Sequence, residues 1–173
     1  MQKYHRVYSR RCLYAAISLF YRIQVNIENI LSFRQRLYKV IEKDIIHHEI
    51  TDFYKCGAIG WDTLAAQVIL KIRESYPQVK LHLILPCSNA EQTEKWTAEQ
   101  KKEFYRILSL ADDVEYTSQR YFNGCMKVRN ARLVECATYK CYCYWNDKRR
   151  RSGTFQTINM AKRKGLLMEN FFE

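Results

Sequence analysis

The sequence predicts an α/β domain in which a mostly parallel, Rossmann-like β-sheet carries helices on both faces. From residue 50 onward, short apolar runs alternate with amphipathic stretches, which is typical of a parallel sheet with crossover helices. The length of 173 residues suits one domain. With 47% hydrophobic residues, 5 Gly and 2 Pro, the composition supports one sizeable core and excludes disordered and collagen-like chains. We therefore expect a single domain.

The elements can be placed in order along the second part of the chain. Strands are predicted at residues 52–56, 79–85, 113–117 and 139–145, with the start of another at 166–168. Helices are predicted at residues 61–75, 97–110, 125–137 and 155–164. The clearest helix opens with a capping box of Thr97 and Gln100, and Gly165 ends the last one. Right-handed crossovers would place these helices on both faces of a sheet of four or five strands.

The first 50 residues are less regular. Residues 30–48 predict a helix, because their apolar side chains fall on one stripe. Residues 1–30 form an atypical N-terminal segment without a clear pattern, and either a strand or a helix fits residues 13–27. The predicted Rossmann-like domain therefore covers residues 31–173.

The charge and the apolar runs restrict the partners of the protein. The net charge of +11 comes from 29 basic and 18 acidic residues and includes the run 148–151. A basic surface attracts the phosphates of nucleotides or nucleic acids, although scattered charge also describes an ordinary solvated face. No apolar run approaches about 18 residues, and no signal-peptide cleavage site follows residues 12–20. We expect a cytoplasmic protein that does not span a membrane.

The seven cysteines are expected to be reduced thiols. Their number is odd, and no C-x-x-C pair offers the usual zinc spacing. Cys141 and Cys143 would share one face of a strand as small core residues. No metal site is predicted.

Two glycine turns mark the candidate ligand edge of the sheet. Ligands of open parallel sheets bind beyond the carboxyl ends of the strands, where helix N-termini present backbone N–H groups. Gly57 and Gly60 would let the backbone approach a phosphate, and Gly153 with Thr154 forms a second such element. A plain tight turn explains the first pair equally well, and a simple helix cap explains the second.

Other polar and aromatic residues fall near the same edge. Asp62 could bond a ribose hydroxyl, bond a backbone loop, or complement its helix dipole. Arg129 and Asn130 lie early in a helix, where they could meet a phosphate or carboxylate. Trp96 and Trp145 could stack on a base, although burial is the more common fate of an aromatic ring.

No standard catalytic set emerges from the sequence. Neither the nucleophile elbow of α/β-hydrolases nor the P-loop motif is present. Asp62, Glu94 and Glu135 remain open as acid or base groups, and nothing in their spacing selects one. His82 lies inside a predicted strand and is expected to be a packing residue. Whether the protein is an enzyme is therefore left open.

Taken in order, the motifs resemble the YpsA-like branch of the SLOG superfamily, a bacterial group of unknown function. The resemblance covers roughly residues 31–168. It is carried by GAIGWDTLAA at 57–66, KLHLILPC at 80–87, KW at 95–96, YFNGCM at 121–126, RN at 129–130 and SGT at 152–154.

The resemblance implies a Rossmann-like domain, related to the LOG phosphoribohydrolases and to DprA. It also implies binding of a nucleotide-derived ligand such as an NAD or ADP-ribose derivative, including a sensor role. The implied site residues are Gly57, Gly60, Asp62, Arg129, Asn130, Gly153 and Thr154. Oligomers are common among the relatives, so the oligomeric state stays open.

Several positions depart from the family pattern. Residues 1–30 lack the T-G-H-R motif that usually ends the first strand, which suggests that this strand is lost or replaced. Lys55 and Cys56 stand where many members have S-G, so Lys55 would either crowd the pocket floor or contact a phosphate. Thr157 stands where LOG enzymes carry a glutamate. LOG-like cleavage at the base-ribose bond, with a carboxylate base, and DprA-like binding of single-stranded nucleic acid remain the alternative functions.

Overall fold

A six-stranded parallel sheet forms the centre of the protein in the computed structural model, which describes residues 10–15, 27–145 and 152–172. The strands are β1 (Arg10–Ala15), β2 (Ile50–Lys55), β3 (Lys80–Leu85), β4 (Asp113–Tyr116), β5 (Lys140–Cys143) and β6 (Leu167–Asn170). The helices are α1 (Ile27–His48), α2 (Trp61–Arg73), α3 (Asn89–Thr93), α4 (Ala98–Leu110), α5 (Cys125–Cys136) and α6 (Gly153–Arg163).

The order of the strands defines where a ligand crevice can form. Across the sheet the order is β4-β3-β2-β1-β5-β6, and every neighbouring pair is parallel. The chain fills one half of the sheet from β1 to β4 and then crosses to the other side of β1 with β5. The strand order therefore reverses between β1 and β5. In such a sheet the ligand crevice lies at the carboxyl ends of these two strands.

Helices cover both faces of the sheet. On one face, α1, α2 and α4 pack against strand residues such as Phe53 and Leu83, and on the other, α5 and α6 pack against Tyr54 and Ile84. All four residues of β5 are buried, as expected for a parallel strand covered on both sides. The predicted fold class is confirmed.

Most predicted elements lie within a few residues of their observed bounds. The capping box of α4 is present, with the Gln100 amide donating to Thr97 Oγ1 at 3.3 Å and the Thr97 amide donating to Gln100 Oε1 at 2.9 Å. From residue 50 onward the structure has five strands, within the predicted four or five, and β1 in the N-terminal segment is the sixth strand of the sheet.

The first strand is the element about which the structure adds most to the sequence prediction. The structure places β1 at the centre of the sheet, paired with β2 on one side and β5 on the other. Of the two possibilities that the sequence left open, loss or replacement of the first strand, the structure supports a strand at this place, at residues 10–15. Its six residues include two arginines and only a short apolar run, so the sequence pattern is weak. The remainder of the ambiguous region, residues 16–26, lies outside the described residues.

A buried ionic network ties α1 to β5. Lys140 Nζ donates to Asp44 Oδ1 at 2.8 Å and to Oδ2 at 2.6 Å, and the Tyr142 hydroxyl donates to the same carboxylate. Asp44 is 3% exposed. A charged strand residue is thus accommodated in the interior because its partner comes from the helix packed against it.

Within the described residues, no helix is both long and apolar enough to cross a lipid bilayer. The cytoplasmic location stays a prediction.

Candidate functional site at the carboxyl edge of the sheet

Three helices begin at the carboxyl edge of the sheet and direct their N-termini toward it. The residues that precede the first turns of α2, α5 and α6 are Gly60, Gly124 and Ser152. The free N–H groups and the positive end of the helix dipole make such termini suitable for anions. All three follow loops that leave the sheet at this edge.

The loop between β2 and α2 needs glycine at two positions. Gly57 has φ +64° and Gly60 has φ +91° with ψ −122°, a backbone conformation that side chains strongly disfavour. A Cβ added at Gly57 would stand 2.6 Å from Leu85 Cδ2 and 3.1 Å from Phe104 Cε2. The loop therefore lies directly against the core.

Asp62 holds this loop in shape. Its Oδ1 accepts a hydrogen bond from the Cys56 amide at 3.3 Å, and its Oδ2 accepts one from the Ala58 amide at 3.1 Å. Lys55 Nζ lies 3.1 Å from Asp62 Oδ1, and both side chains are at most 1% exposed. Of the three roles considered for Asp62, this geometry supports the bond to a backbone loop.

The buried ion pair also defines the position of the Lys55 side chain. Its side chain lies in the interior beside Asp62 at the start of α2. Desolvation lowers the pKa of Lys55, and the neighbouring Asp62 carboxylate opposes that shift. Lys55 thus contacts Asp62 and, through it, supports the loop.

Arg129 connects α5 to the same loop. Its Nη1 donates to the Cys56 carbonyl at 2.8 Å, and its Nε donates to Asn130 Oδ1 at 2.8 Å. A third, weaker contact joins Nη2 to the sulfur of Met126 at 3.6 Å. Arg129 is 7% exposed, and within the described part of the chain no carboxylate lies within the 4.0 Å of an ion pair.

Asn130 brings the second glycine turn into this network. A Cβ built on Gly153 would stand 3.7 Å from Asn130 Nδ2, an ordinary contact distance. Ser152 caps α6 by accepting a hydrogen bond from the Phe155 amide at 3.1 Å, and Thr154 behind it is buried. The structure thus brings together residues from all three predicted segments, 57–62, 129–130 and 153–154.

The candidate acid or base groups, Asp62, Glu94 and Glu135, do not form one cluster. Glu135 is 69% exposed near the end of α5, where it accepts from Arg132 at 2.9 Å, and Glu94 is exposed after α3. Thr157, at the position of the LOG glutamate, is buried and donates to the Gly153 carbonyl at 2.9 Å. No described carboxylate therefore takes the place of that glutamate.

The other residues singled out by sequence pack against neighbours. Trp96 contacts the edge of Phe104 at 5.4 Å, and Trp145 lies 5.6 Å from Phe155. His82 stacks on Tyr54 at 4.5 Å, and its Nε2 lies 2.7 Å from Asp52 Oδ1.

The cysteines around the site are protected. Cys56, Cys87 and Cys125 are free and buried. Burial raises the pKa of Cys56 to about 11 and also raises the pKa of Cys87. In the described residues, no cluster of three or more His, Cys, Asp and Glu side chains could hold a metal ion.

Sequence reasoning missed two residues of this edge. Gln92 of α3 donates from Nε2 to the Gly57 carbonyl at 2.9 Å, and it comes from a different loop with no sequence signal. Trp61 is 8% exposed, and its indole nitrogen has no hydrogen-bond partner among the described residues. Its place directly after Gly60 is the only signal that could have indicated it.

Two surface cavities lie outside this site. One of about 270 Å³ lies between α1 and α2, and one of about 620 Å³ lies beside β4 and α5. Neither is lined by any of the seven predicted site residues. The site is therefore defined here by its hydrogen bonds and charges.

Comparison with known proteins agrees with the fold and with the motifs. A family model described as the YspA SLOG family matches residues 23–167. The chain is 26% identical over 119 residues to the UPF0398 protein of Halalkalibacterium halodurans, covering 68% of this chain and 59% of that protein. It is 27% identical over 139 residues to a UPF0398 protein of Bacillus cereus strain G9842, covering 75% and 73% respectively.

A UPF0398 protein of Bacillus thuringiensis strain Al Hakam is 28% identical over 117 residues, which cover 66% of this chain and 61% of the relative. The match thus spans 59% of the length of the Halalkalibacterium protein. Because the family model extends over most of the chain, from the N-terminal side of α1 to the start of β6, this protein belongs to the YspA SLOG family.

Proposed function

We propose that this protein binds the phosphate groups of a nucleotide derivative, of the NAD or ADP-ribose type, at the carboxyl edge of its sheet. The observation that carries the proposal is Arg129, whose buried guanidinium has no carboxylate at ion-pair distance within the described residues. The proposed site residues are Gly57, Gly60, Asp62, Arg129, Asn130, Gly153 and Thr154.

A buried cation without a counter-ion is costly, because desolvation of the charge is not offset by a partner. Arg129 has five N–H donors and uses three of them in the contacts above, which leaves two for a ligand. The acidic side chain that binds the neighbouring loop, Asp62, is already paired with Lys55. An anionic ligand would supply the missing negative charge, and phosphate oxygens match the guanidinium geometry.

The glycine turns fit this role. The positive φ values of Gly57 and Gly60 shape the loop that leads into α2, and the backbone amides at the start of this helix would face the phosphate. We assign Asp62 to holding these amides in place. Gly153 and Asn130 would contribute from the opposite side, at the start of α6.

The test is a charge placed at Gly153 with a matched control. The Cβ of a substituted residue fits there at 3.7 Å, so both Gly153→Asp and Gly153→Ala should fold. Thermal melting is measured with NAD, ADP-ribose, AMP, ATP and inorganic phosphate. A ligand at about 100 times its Kd adds roughly 2.7 kcal/mol to the stability of the protein that binds it.

We expect at least one phosphate-containing ligand to raise the Tm of the unsubstituted protein and of Gly153→Ala. Gly153→Asp should lose that rise, because its carboxylate repels the phosphate and competes for Arg129. An equal rise in Gly153→Asp would refute this site, and a cooperative melt that no ligand moves would refute the function.

A second candidate is the binding of single-stranded nucleic acid. It is favoured by the loop before α5, where Tyr121 is 58% and Phe122 is 44% exposed between the basic residues Arg120 and Lys127. Exposed aromatic rings among basic side chains are the usual platform for unpaired bases. Affinity for a single-stranded oligonucleotide should then fall steeply with salt, and a flat salt response would exclude this function.

A further inference from the structure

An aromatic cluster lies at the same edge of the sheet, on the face covered by α1 and α2. We define the aromatic cluster as Phe33, Trp61, Tyr144, Phe171 and Phe172. The ring centroid of Trp61 lies 4.9 Å from that of Phe33, 5.8 Å from Tyr144 and 5.5 Å from Phe171. Its members come from the second turn of α1, the start of α2 and the segments that follow β5 and β6, which all lie near the carboxyl edge.

Trp61 carries a buried polar group, its indole N–H, within the aromatic cluster. Its side chain is 8% exposed, and its indole Nε1 has no hydrogen-bond partner in the part of the chain that the structure describes. The indole nitrogen can only donate, and a buried donor of this kind normally finds an acceptor. Within the described residues this donor therefore leaves one hydrogen bond unmade.

The position of Trp61 relates this donor to the proposed phosphate site. Trp61 is the residue between Gly60 and Asp62, and Tyr144 follows the strand that leads to the second glycine turn. Arg129 reaches the same loop from the other face, through the Cys56 carbonyl. A ligand lying across the edge over β1 would therefore meet Arg129 on one side and Trp61 on the other.

We propose that the Trp61 indole N–H donates to the heterocyclic base of the bound nucleotide derivative, with the partly buried rings of Phe33 and Tyr144 beside it. The ligand class is thus a planar heterocycle that carries a hydrogen-bond acceptor and is joined to a phosphate group. This inference rests on the proposed nucleotide-binding function and assigns the end of the ligand that lacks phosphate.

The first test compares Trp61→Phe with the matched control Trp96→Phe. Both replacements keep an aromatic ring, and Trp96 packs against Phe104 in α4 and not in the aromatic cluster. Kd is measured by calorimetry for ADP-ribose and for ribose 5-phosphate, which lacks a base. We expect Trp61→Phe to raise the Kd for ADP-ribose by about tenfold, the effect of one lost hydrogen bond. It should leave ribose 5-phosphate binding unchanged, and Trp96→Phe should alter neither.

A second measurement uses the unsubstituted protein and does not depend on how a variant folds. The three tryptophans give three indole N–H signals in a ¹⁵N-correlated spectrum, assigned by the Trp-to-Phe variants. The Trp61 signal should shift on saturation with ADP-ribose, while the Trp96 signal stays in place.

The outcomes separate the two proposals. If the protein binds ADP-ribose but Trp61→Phe has an unchanged Kd and the Trp61 signal does not move, the base subsite is refuted and the phosphate site stands. If the unsubstituted protein binds none of the phosphate-containing ligands, both proposals fail.

Discussion

Alanine substitutions at three glycines separate the cost of backbone strain from the cost of packing a side chain. Gly57 combines a positive φ of +64° with a Cβ position 2.6 Å from Leu85 Cδ2. Gly124 has φ +101° but open space within 4 Å of its Cβ position. Gly153 has neither problem, because its Cβ would meet only Asn130 Nδ2 at 3.7 Å. Alanine at each position therefore tests one combination of these two effects.

The expected magnitudes follow from these geometries. A side chain in the left-handed region costs about 1–2 kcal/mol, which is the whole effect expected for Gly124→Ala. Forcing a methyl group into a packed core adds about 1–3 kcal/mol, so Gly57→Ala should lose about 2–5 kcal/mol in total. Gly153→Ala should be neutral or gain up to ~1 kcal/mol, because it restricts only the unfolded chain.

The assay is urea unfolding followed by circular dichroism, with the midpoint and the m-value both fitted. For a chain of this size, each kcal/mol corresponds to a change in Tm of roughly 2–4 °C. The reasoning is wrong if Gly57→Ala is no less stable than Gly124→Ala, because the loop would then not be packed against the core. A large loss in Gly153→Ala would contradict the space found at the start of α6.

Three further predictions concern the buried groups. Asp44→Ala should lower the free energy of unfolding by about 3–5 kcal/mol because it leaves Lys140 buried without its closest counter-charge, and adding Lys140→Met should recover much of that loss in denaturant titrations. Lys164→Met should cost about 1–3 kcal/mol in the same assay, because Nζ donates to three carbonyl groups at the end of α5 at 2.6–2.8 Å, and an unchanged midpoint would show that these bonds are not formed. Burial raises the pKa of Cys56 to about 11 and that of Cys143 to about 12, so alkylation at pH 8 followed by mass spectrometry should label both only after unfolding. The unfolded chain releases these protons first, so the stability that the two neutral thiols contribute is complete below about pH 8.5 and is lost as the pH rises through 11 and 12.

Several local features of this protein can be predicted from the spacing of residues along the chain. The apolar stripe of α2 and the capping box of α4 depend on residues three or four positions apart, so their spacing is visible along the chain. The glycines of the first loop were equally visible, because the helix start that follows them is a local signal. From these features the α/β class and the carboxyl edge of the sheet could be predicted, whereas the set of seven candidate residues depended on the family resemblance.

The burial of these residues and their contacts depend on how distant segments pack together in the fold. Strand β1 has no clear sequence pattern, because its structure depends on pairing with β2 and β5, which lie far away in the sequence. Arg129 reads as an ordinary surface residue until α5 folds over the Cys56 carbonyl, 73 residues away. The same holds for Trp61, whose indole nitrogen is buried by rings from three other segments and has no partner in residues 10–15, 27–145 and 152–172. Desolvation depends on every segment that surrounds a group, and these segments cannot be identified from the spacing of residues in the sequence.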